Sequence, residues 1–199
     1  MVNNQSSKLS VGIASFFEVI LIVTAIVSMA ARQGKNLSLT LLAMFCLILP
    51  FIMTRIANSK NIVLPSSFQP FLLIFIFLAQ YLGEIKKFYL TFWWWDLLLH
   101  ALFGSFAVIV ALYAMKGTIR KDQETTLRRF TLLKIIFAFC FSIALGTLWE
   151  MFEFTGDYLF KTNLVKGGLE DTSTDLLIKI LTAFITSVIL YFRSLKINR

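Results

Sequence analysis

Residues 92–115 have the sequence FWWWDLLLHALFGSFAVIVALYAM, which is long and apolar enough to cross a lipid bilayer as one helix. The first half of this stretch contains Asp96 and the single histidine of the chain, His100. One helical turn separates the two residues, so both side chains leave the same face of the helix. Ionisable side chains within a membrane span are costly unless they face other protein, a partner or water. The stretch therefore predicts a membrane span and the place where any chemistry would lie.

The composition of the whole chain is that of a polytopic membrane protein. Of its 199 residues, 58% are hydrophobic and 15% are charged, and the mean hydropathy is +0.79. This balance is too apolar for a soluble domain. The net charge of +8 would suggest nucleic acid binding in a soluble protein, but here the basic residues lie mostly between and beyond the apolar runs. We therefore expect membrane lipids, and no nucleic acid, as partners.

Successive apolar runs predict a single all-α domain over residues 1–199, built as a bundle of about six transmembrane helices. The predicted spans are 11–31, 37–56, 66–85, 92–115, 130–155 and 174–192. The third span is the shortest apolar run, and Pro50 should interrupt the second. Cys46 and Cys140 lie in apolar runs without a metal-binding spacing, so we expect both to be buried, reduced packing residues.

The distribution of lysine and arginine predicts the orientation. Eleven of these residues fall in the two tails and in the loops after spans two and four, whereas six fall on the other side. The positive-inside rule therefore places both termini in the cytoplasm of a multi-pass protein of the bacterial cytoplasmic (inner) membrane. Eight of the eleven acidic residues and all four tryptophans lie near the outer ends of the later spans, as an outer interfacial belt would.

Span five contains two carboxylates on one face. Glu150 and Glu153 are three residues apart, and Gly146 and Asp157 continue the same stripe at helical spacing. Glu150 lies about one turn inside the span, a depth that favours a functional role. For Glu153 and Asp157, a position in headgroup water at the end of the span is an equal alternative.

Asp171 and Asp175 flank Thr172 at the start of span six. Helix N-termini favour such residues through capping and the macrodipole, and Thr172 with Asp175 has the spacing of a capping box. The spacing alone therefore favours a cap over a ligand role. Lys179 lies one turn deeper and needs a partner, for which Asp175 is the nearest in sequence.

Three readings fit Asp96 and His100: a buried pair that fixes helix packing, a set of metal ligands, or a proton-transfer pair. A histidine with several carboxylates suits a divalent cation, and no thiolate accompanies them. Three polar helix ends at one depth on one side favour a shared site. No phosphate-binding glycine loop, serine nucleophile motif or HExxH zinc motif is present in the sequence.

The segments WWWDLLLHALFG (93–104), LWEMFEFTGD (148–157) and EDTSTDLLIKILTAF (170–184) resemble the YjdF-like bacterial membrane proteins. These small polytopic proteins share D-x3-H, E-x2-E and D-T-x2-D segments on successive helices. The chain is more distantly similar to VanZ-like proteins, which are linked to glycopeptide resistance. In that family a glutamine and an asparagine take the places that Glu153 and Asp175 have here.

The resemblance implies a set of candidate site residues: Asp96, His100, Glu150, Glu153, Asp171 and Asp175. It raises the last two above the capping interpretation, but it implies no particular reaction and does not decide whether the protein is an enzyme. Within the set, Asp96, His100, Glu150 and Glu153 are the hypothetical ligands of a divalent metal ion, the one cofactor that we expect.

The sequence thus predicts an outward-facing carboxylate and histidine site that binds a divalent cation or protons and acts on an envelope or lipid-linked substrate. The protein would be an enzyme or an accessory factor in that role. Two alternatives stay open at this point. One is a small proton- or ion-coupled transporter that uses the same carboxylates. The other is a structural or envelope-interaction protein whose polar residues only hold helices together.

Cysteines placed in the loop 116–129 should stay unlabelled by a membrane-impermeant thiol reagent in intact cells, while cysteines in the loop 161–168 should react. The reason is that the loop charges place the first loop inside and the second outside. The background lacks Cys46 and Cys140, and permeabilised cells, in which both loops should react, are the control. The reverse pattern would overturn the orientation and move the site to the cytoplasmic side.

Overall fold

The computed structural model describes residues 4–160, 165 and 168–197, and all regular secondary structure in them is helical. The prediction of an all-α fold is confirmed. Six helical segments of the described residues are long and apolar enough to cross a membrane: Lys8–Ala30, Gly34–Ser59, Phe68–Ile85, Trp95–Ala114, Leu127–Leu159 and Leu169–Lys196. The cytoplasmic location of the termini stays a prediction, and most of the loop 161–168 lies outside the described residues.

The chain forms two compact units, Met1–Trp95 and Asp96–Arg199, and the expectation of one domain stays a prediction. The first unit contains α1 (Asn4–Ala30), α2 (Gly34–Cys46), α3 (Leu49–Ser59), α4 (Phe68–Ile76), a π-helical segment (Phe77–Ile85) and α5 (Phe88–Thr91). Its core is a cluster of buried aliphatic side chains from α1, α2, α4 and the π-helical segment: Leu21, Ala43, Leu47, Leu73 and Ile85. Between membrane spans, close van der Waals packing of such side chains, and not their removal from water, favours helix association.

The second span is interrupted where the sequence places Pro50. Helix α2 ends at Cys46, α3 begins at Leu49, and Pro50 is the second residue of α3. A proline has no backbone N–H to donate, so the start of a helix is where it costs least. The hydroxyl of Thr54 donates to the carbonyl oxygen of Pro50 at 2.7 Å. The helix of the second span is thus broken just before Pro50, where the sequence predicts an interruption.

The third span changes helix type halfway along its length. After Ile76 the backbone is π-helical, and the N–H of Lys86 donates to the carbonyl of Tyr81, five residues earlier, at 2.9 Å. The ring of Tyr89 lies against Gly83, where a Cβ atom would be only 2.2 Å from the ring. Continuous π-helix of this length is rare, and hydrophobic periodicity does not predict it.

The second unit consists of three long helices, α6 (Trp95–Ala114), α7 (Leu127–Phe160) and α8 (Leu169–Ile197). Helix α6 begins three residues after the predicted start of span four, so residues 92–94 precede it. Helices α7 and α8 extend beyond the predicted spans at both ends. A helix can continue past the hydrocarbon region because its backbone hydrogen bonds are internal, so hydropathy underestimates its length.

The early start of α8 contradicts the predicted capping box. Thr172 lies inside the helix, and its N–H donates to the carbonyl of Gly168 at 3.2 Å. Asp171 is in the first turn, where a negative charge is favoured by the helix dipole, and Asp175 lies deeper and is buried. The capping interpretation of Asp175 is therefore wrong.

The cysteine prediction is half right. Both cysteines are free, and Cys46 is half-buried, but Cys140 is exposed on α7. A side chain exposed on a membrane span is in contact with lipid, so the apolar surroundings that the sequence indicates for Cys140 are those of the bilayer and not of a protein core.

Small residues bring α6, α7 and α8 together. Gly104 of α6 lies against α8, where a Cβ atom would be 2.7 Å from the carbonyl oxygen of Lys179. The hydroxyl of Ser142 in α7 donates to the carbonyl oxygen of Gly104 at 2.9 Å. Beyond this level a cluster of buried apolar residues joins the three helices: Val108, Ala111, Met115, Ala138 and Ala183. Close approach through glycine, alanine and serine is a common form of helix association in membranes.

Replacement of Gly104 by alanine should destabilise the protein by about 1–3 kcal/mol, because the new methyl group has to displace helix backbone and not a flexible side chain. The thermal midpoint in detergent measures the effect. Gly12→Ala in α1 is the matched control, since nothing lies within 4 Å of a Cβ atom there, and alanine favours a helix by about 1 kcal/mol. Equal midpoints for Gly104→Ala and wild type would contradict the close approach of α6 and α8.

Candidate functional site

The buried faces of the three helices of the second unit carry ionisable side chains toward one end and, toward the other, mostly apolar side chains with two buried hydroxyls among the described residues. Along each helix these residues recur at intervals of three or four, which places them on one face. The polar ends contain His100 and Ser142, Glu150, and Asp175 and Lys179, all of them buried. Fold and sequence together therefore bring the ionisable residues of three spans to one region.

His100 contacts two carboxylates with the same nitrogen. Its Nε2 atom is 3.2 Å from Oδ1 of Asp96, one turn earlier in α6, and 3.3 Å from Oδ2 of Asp175 in α8. The side chains of His100 and Asp175 are 8% and 4% exposed, whereas that of Asp96 is 30% exposed. The three side chains are thus inaccessible from the side of α8 and accessible from the side of Asp96.

The three side chains have the donor arrangement of a small cation site. One atom from each of Asp96, His100 and Asp175 lies within 4.8 Å of the other two, close enough to hold a single metal ion. Imidazole and carboxylate donors together suit a divalent ion such as Zn²⁺ or Mn²⁺. The structure brings together three of the six candidate residues. Helix α6 supplies two of them, and α8 supplies Asp175.

Lys179 has a different partner from the one that the sequence suggested. The ammonium group of Lys179 in α8 donates to Oε1 of Glu150 in α7, and the two side chains are 2% and 5% exposed. The expected pair of Lys179 with Asp175 is therefore wrong. Neighbours at i and i+4 on a helix interact only weakly, and a buried carboxylate on another helix gains more from the lysine.

Two glycines make room for this lysine. A Cβ atom on Gly146 would be 3.1 Å from Cδ of Lys179, so the aliphatic part of the lysine side chain lies over that glycine. Gly104 contacts the backbone of the same residue from α6. The lysine side chain therefore runs along α7 to Glu150, which lies one turn beyond Gly146.

The remaining candidates lie around this region without joining the group of three. Glu153 is half-buried and within electrostatic range of Glu150, His100 and Lys179. Asp171 is half-buried, one turn before Asp175. As metal ligands, Glu150 and Glu153 stay a prediction, and so does a role for Asp171.

Asp157 serves the connection between α7 and α8. Its Oδ2 atom accepts a hydrogen bond from the backbone N–H of Val165 at 2.8 Å. The location of Asp157 in headgroup water stays a prediction.

The site lies toward one end of the spans. His100 is about 8 Å from the start of α6, and both Lys179 and Glu150 are about 15 Å from the ends of their helices, at a rise of 1.5 Å per residue. The hydrocarbon core of a bilayer is about 30 Å thick. Because helices α7 and α8 project beyond the spans, the His100 group lies near the interface and the ion pair lies about one turn deeper.

These features define a class: a helical membrane protein with a histidine and carboxylate group near one end of its last three spans. The chain belongs to the family described as predicted membrane protein (DUF2238), which matches residues 13–196. This family is consistent with the resemblance to YjdF-like proteins, whereas the comparisons give no support to the resemblance to VanZ-like proteins.

A relative from Thermotoga maritima, named uncharacterized protein, is 27% identical over 142 residues, which cover 71% of this chain and 69% of the relative. No solved structure matches the chain significantly. The comparisons thus establish a multi-pass membrane protein and leave the role of the site to its chemistry.

Proposed function

We propose that Asp96, His100 and Asp175 bind a divalent cation, and that this centre acts on an envelope or lipid-linked substrate. The observation that carries the proposal is the convergence of two carboxylate oxygens on one imidazole nitrogen, at 3.2 and 3.3 Å. The loop charges support a location of the site on the outer side of the bacterial cytoplasmic membrane.

A divalent cation would balance the charges of Asp96, His100 and Asp175 better than a proton would. An imidazole nitrogen carries at most one hydrogen, so Nε2–H can bond well to only one of the two carboxylates. Two carboxylates leave a net charge of −2 beside a neutral imidazole and −1 beside an imidazolium, and either is costly in a region of low dielectric without compensation. Lys179 supplies no direct compensation, since its ammonium group is bound to Glu150. One divalent cation would balance both carboxylates.

The number of donors favours an open metal site. Three protein ligands leave coordination positions for water or substrate, as in catalytic zinc sites, whereas structural sites are closed by four. The partial exposure of Asp96 gives access to these positions. A cation held here would polarise a phosphoryl or carbonyl oxygen or activate a bound water molecule. Phosphate groups and carbonyls of lipid-linked substrates lie at the same depth, which supports this class of substrate.

Transport finds less support in the same helices. Among the described residues of α6, α7 and α8, the polar group is followed by the apolar cluster around Val108, Ala138 and Ala183. A continuous polar path would need ionisable side chains at that level, and among the described residues the buried polar side chain nearest Ala183 in α8 on that side is the hydroxyl of Ser187. The arrangement therefore favours a site that opens to one side of the membrane.

The thermal midpoint of the detergent-solubilised protein in chelator, and then with Mn²⁺ or Zn²⁺, tests the proposal. A divalent cation at a hundred times its dissociation constant should stabilise the wild type by about 2.7 kcal/mol. His100→Ala and Asp175→Asn should lose this stabilisation. In chelator Asp175→Asn should be about as stable as the wild type, or slightly more so, because one of two repelling carboxylates is neutralised.

Glu124→Gln is the control, since Glu124 is exposed in the loop after span four, and it should keep the full response to metal. The opposite result is a wild type indifferent to metal, with both site variants destabilised in chelator by about 1–3 kcal/mol because a buried partner is left unpaired. That outcome would replace the cation site with a purely structural polar network.

A further inference from the structure

Lys179 is buried where a positive charge can be kept only by a partner. Its side chain is 2% exposed and its ammonium group bonds to Glu150, itself 5% exposed. The lysine lies one turn deeper in α8 than Asp175, and two glycines, Gly104 and Gly146, leave the space that its backbone and stem occupy. Burying an ion pair costs much of what the attraction returns, so packing alone does not favour a lysine over an apolar residue here.

The charges around the lysine account for its presence. Glu153 lies within electrostatic range of both Glu150 and His100, and Asp96 and Asp175 contact His100 directly. Four carboxylates in one region exceed what one divalent cation can balance. Sites with this many carboxylates in a helical bundle can hold two metal ions. In this protein the ammonium group of Lys179 lies one turn deeper than the group of Asp96, His100 and Asp175.

We propose that Lys179 is a built-in counter-cation that occupies the place of a second metal ion and so limits the site to one. The inference rests on the proposed function, since it assigns the shallower position to the exchangeable cation. The ammonium group is bound to the chain by its stem and cannot exchange, so Glu150 is withdrawn from the metal ligands for as long as the pair exists.

The proposal predicts that a second ion binds only when both the positive charge and the volume of the Lys179 side chain are removed. Lys179→Ala removes four heavy atoms of side chain, the ammonium nitrogen among them, which leaves room for about two water-sized groups at about 30 Å³ each. A divalent cation can enter that space and bind Glu150. Lys179→Met removes the charge but fills the space, and Lys179→Ala combined with Glu150→Gln leaves the space without its carboxylate. Neither of these two variants should take up an additional ion.

The measurement is the number of tightly bound Mn²⁺ ions per chain, by equilibrium dialysis and elemental analysis of monodisperse protein in detergent. Lys179→Ala should bind one ion more than the wild type. Lys179→Met and the double variant Lys179→Ala/Glu150→Gln should bind the same number as the wild type. An unchanged number in Lys179→Ala, or the same increase in the double variant, would overturn the proposal.

The thermal midpoint of Lys179→Ala provides a second readout that does not require the metal-free variant to be stable. Mn²⁺ should raise this midpoint by more than it raises the midpoints of the wild type and of Lys179→Met. If Lys179→Ala is unfolded in chelator, Mn²⁺ should restore its folded state. Failure to recover it in Mn²⁺ counts against the proposal. A wild type without bound Mn²⁺ would contradict the proposed function, whereas the increment between Lys179→Ala and the wild type tests the counter-cation separately.

Discussion

The ion pair between Lys179 and Glu150 is the interaction around which the second unit is arranged. An ionised side chain inside a membrane span costs several kcal/mol without a partner, so the pair has to form for α7 and α8 to pack as they do. A Cβ atom at position 104 would meet the backbone of Lys179 at 2.7 Å, and one at position 146 would press on its side chain at 3.1 Å. The contact of Gly104 with the backbone of Lys179 sets the position of α8 along the axis of α6, and Asp175 is thereby adjacent to His100.

This arrangement separates two kinds of carboxylate that look alike in the sequence. Glu150 is balanced by a fixed cation that belongs to the chain. Asp96 and Asp175 share the single nitrogen of His100 and are left with charge that the chain does not balance. A site needs such an imbalance to attract a cation from solution, and it needs the partly exposed Asp96 to admit it. The proposed function follows from this difference between the two sets.

The fold class, the approximate spans and the proximity of Asp96 to His100 could be predicted because each depends on local properties, namely hydropathy and helical spacing. The partner of Lys179 could not. Sequence distance favoured Asp175, but the interaction is decided by the rotation of α7 against α8, which depends on where Gly104, Ser142 and Gly146 allow the backbones to meet. The one available signal was a lysine deep in a span with two glycines in neighbouring spans.

The length of α8 was missed for a related reason. Thr172 and Asp175 have the spacing of a cap, but the helix already begins at Leu169, so Asp175 becomes a buried side chain in the second turn. Hydropathy marks the hydrocarbon boundary, and the helix starts outside it. The backbone of residues 77–85 is π-helical, and Tyr89 packs against Gly83 within this segment. No periodicity of the sequence indicates either feature.

The central claim is that one divalent cation is held by His100 Nε2 between two carboxylates, and the single histidine of the chain makes it directly testable. Mn²⁺ bound to the untagged protein can be examined by electron spin-echo modulation, which detects a directly coordinated imidazole nitrogen. In the wild type we expect the modulation from one coordinated imidazole nitrogen, and in His100→Gln we expect this modulation to be absent. Bound Mn²⁺ without an imidazole coupling in the wild type would contradict the proposed centre.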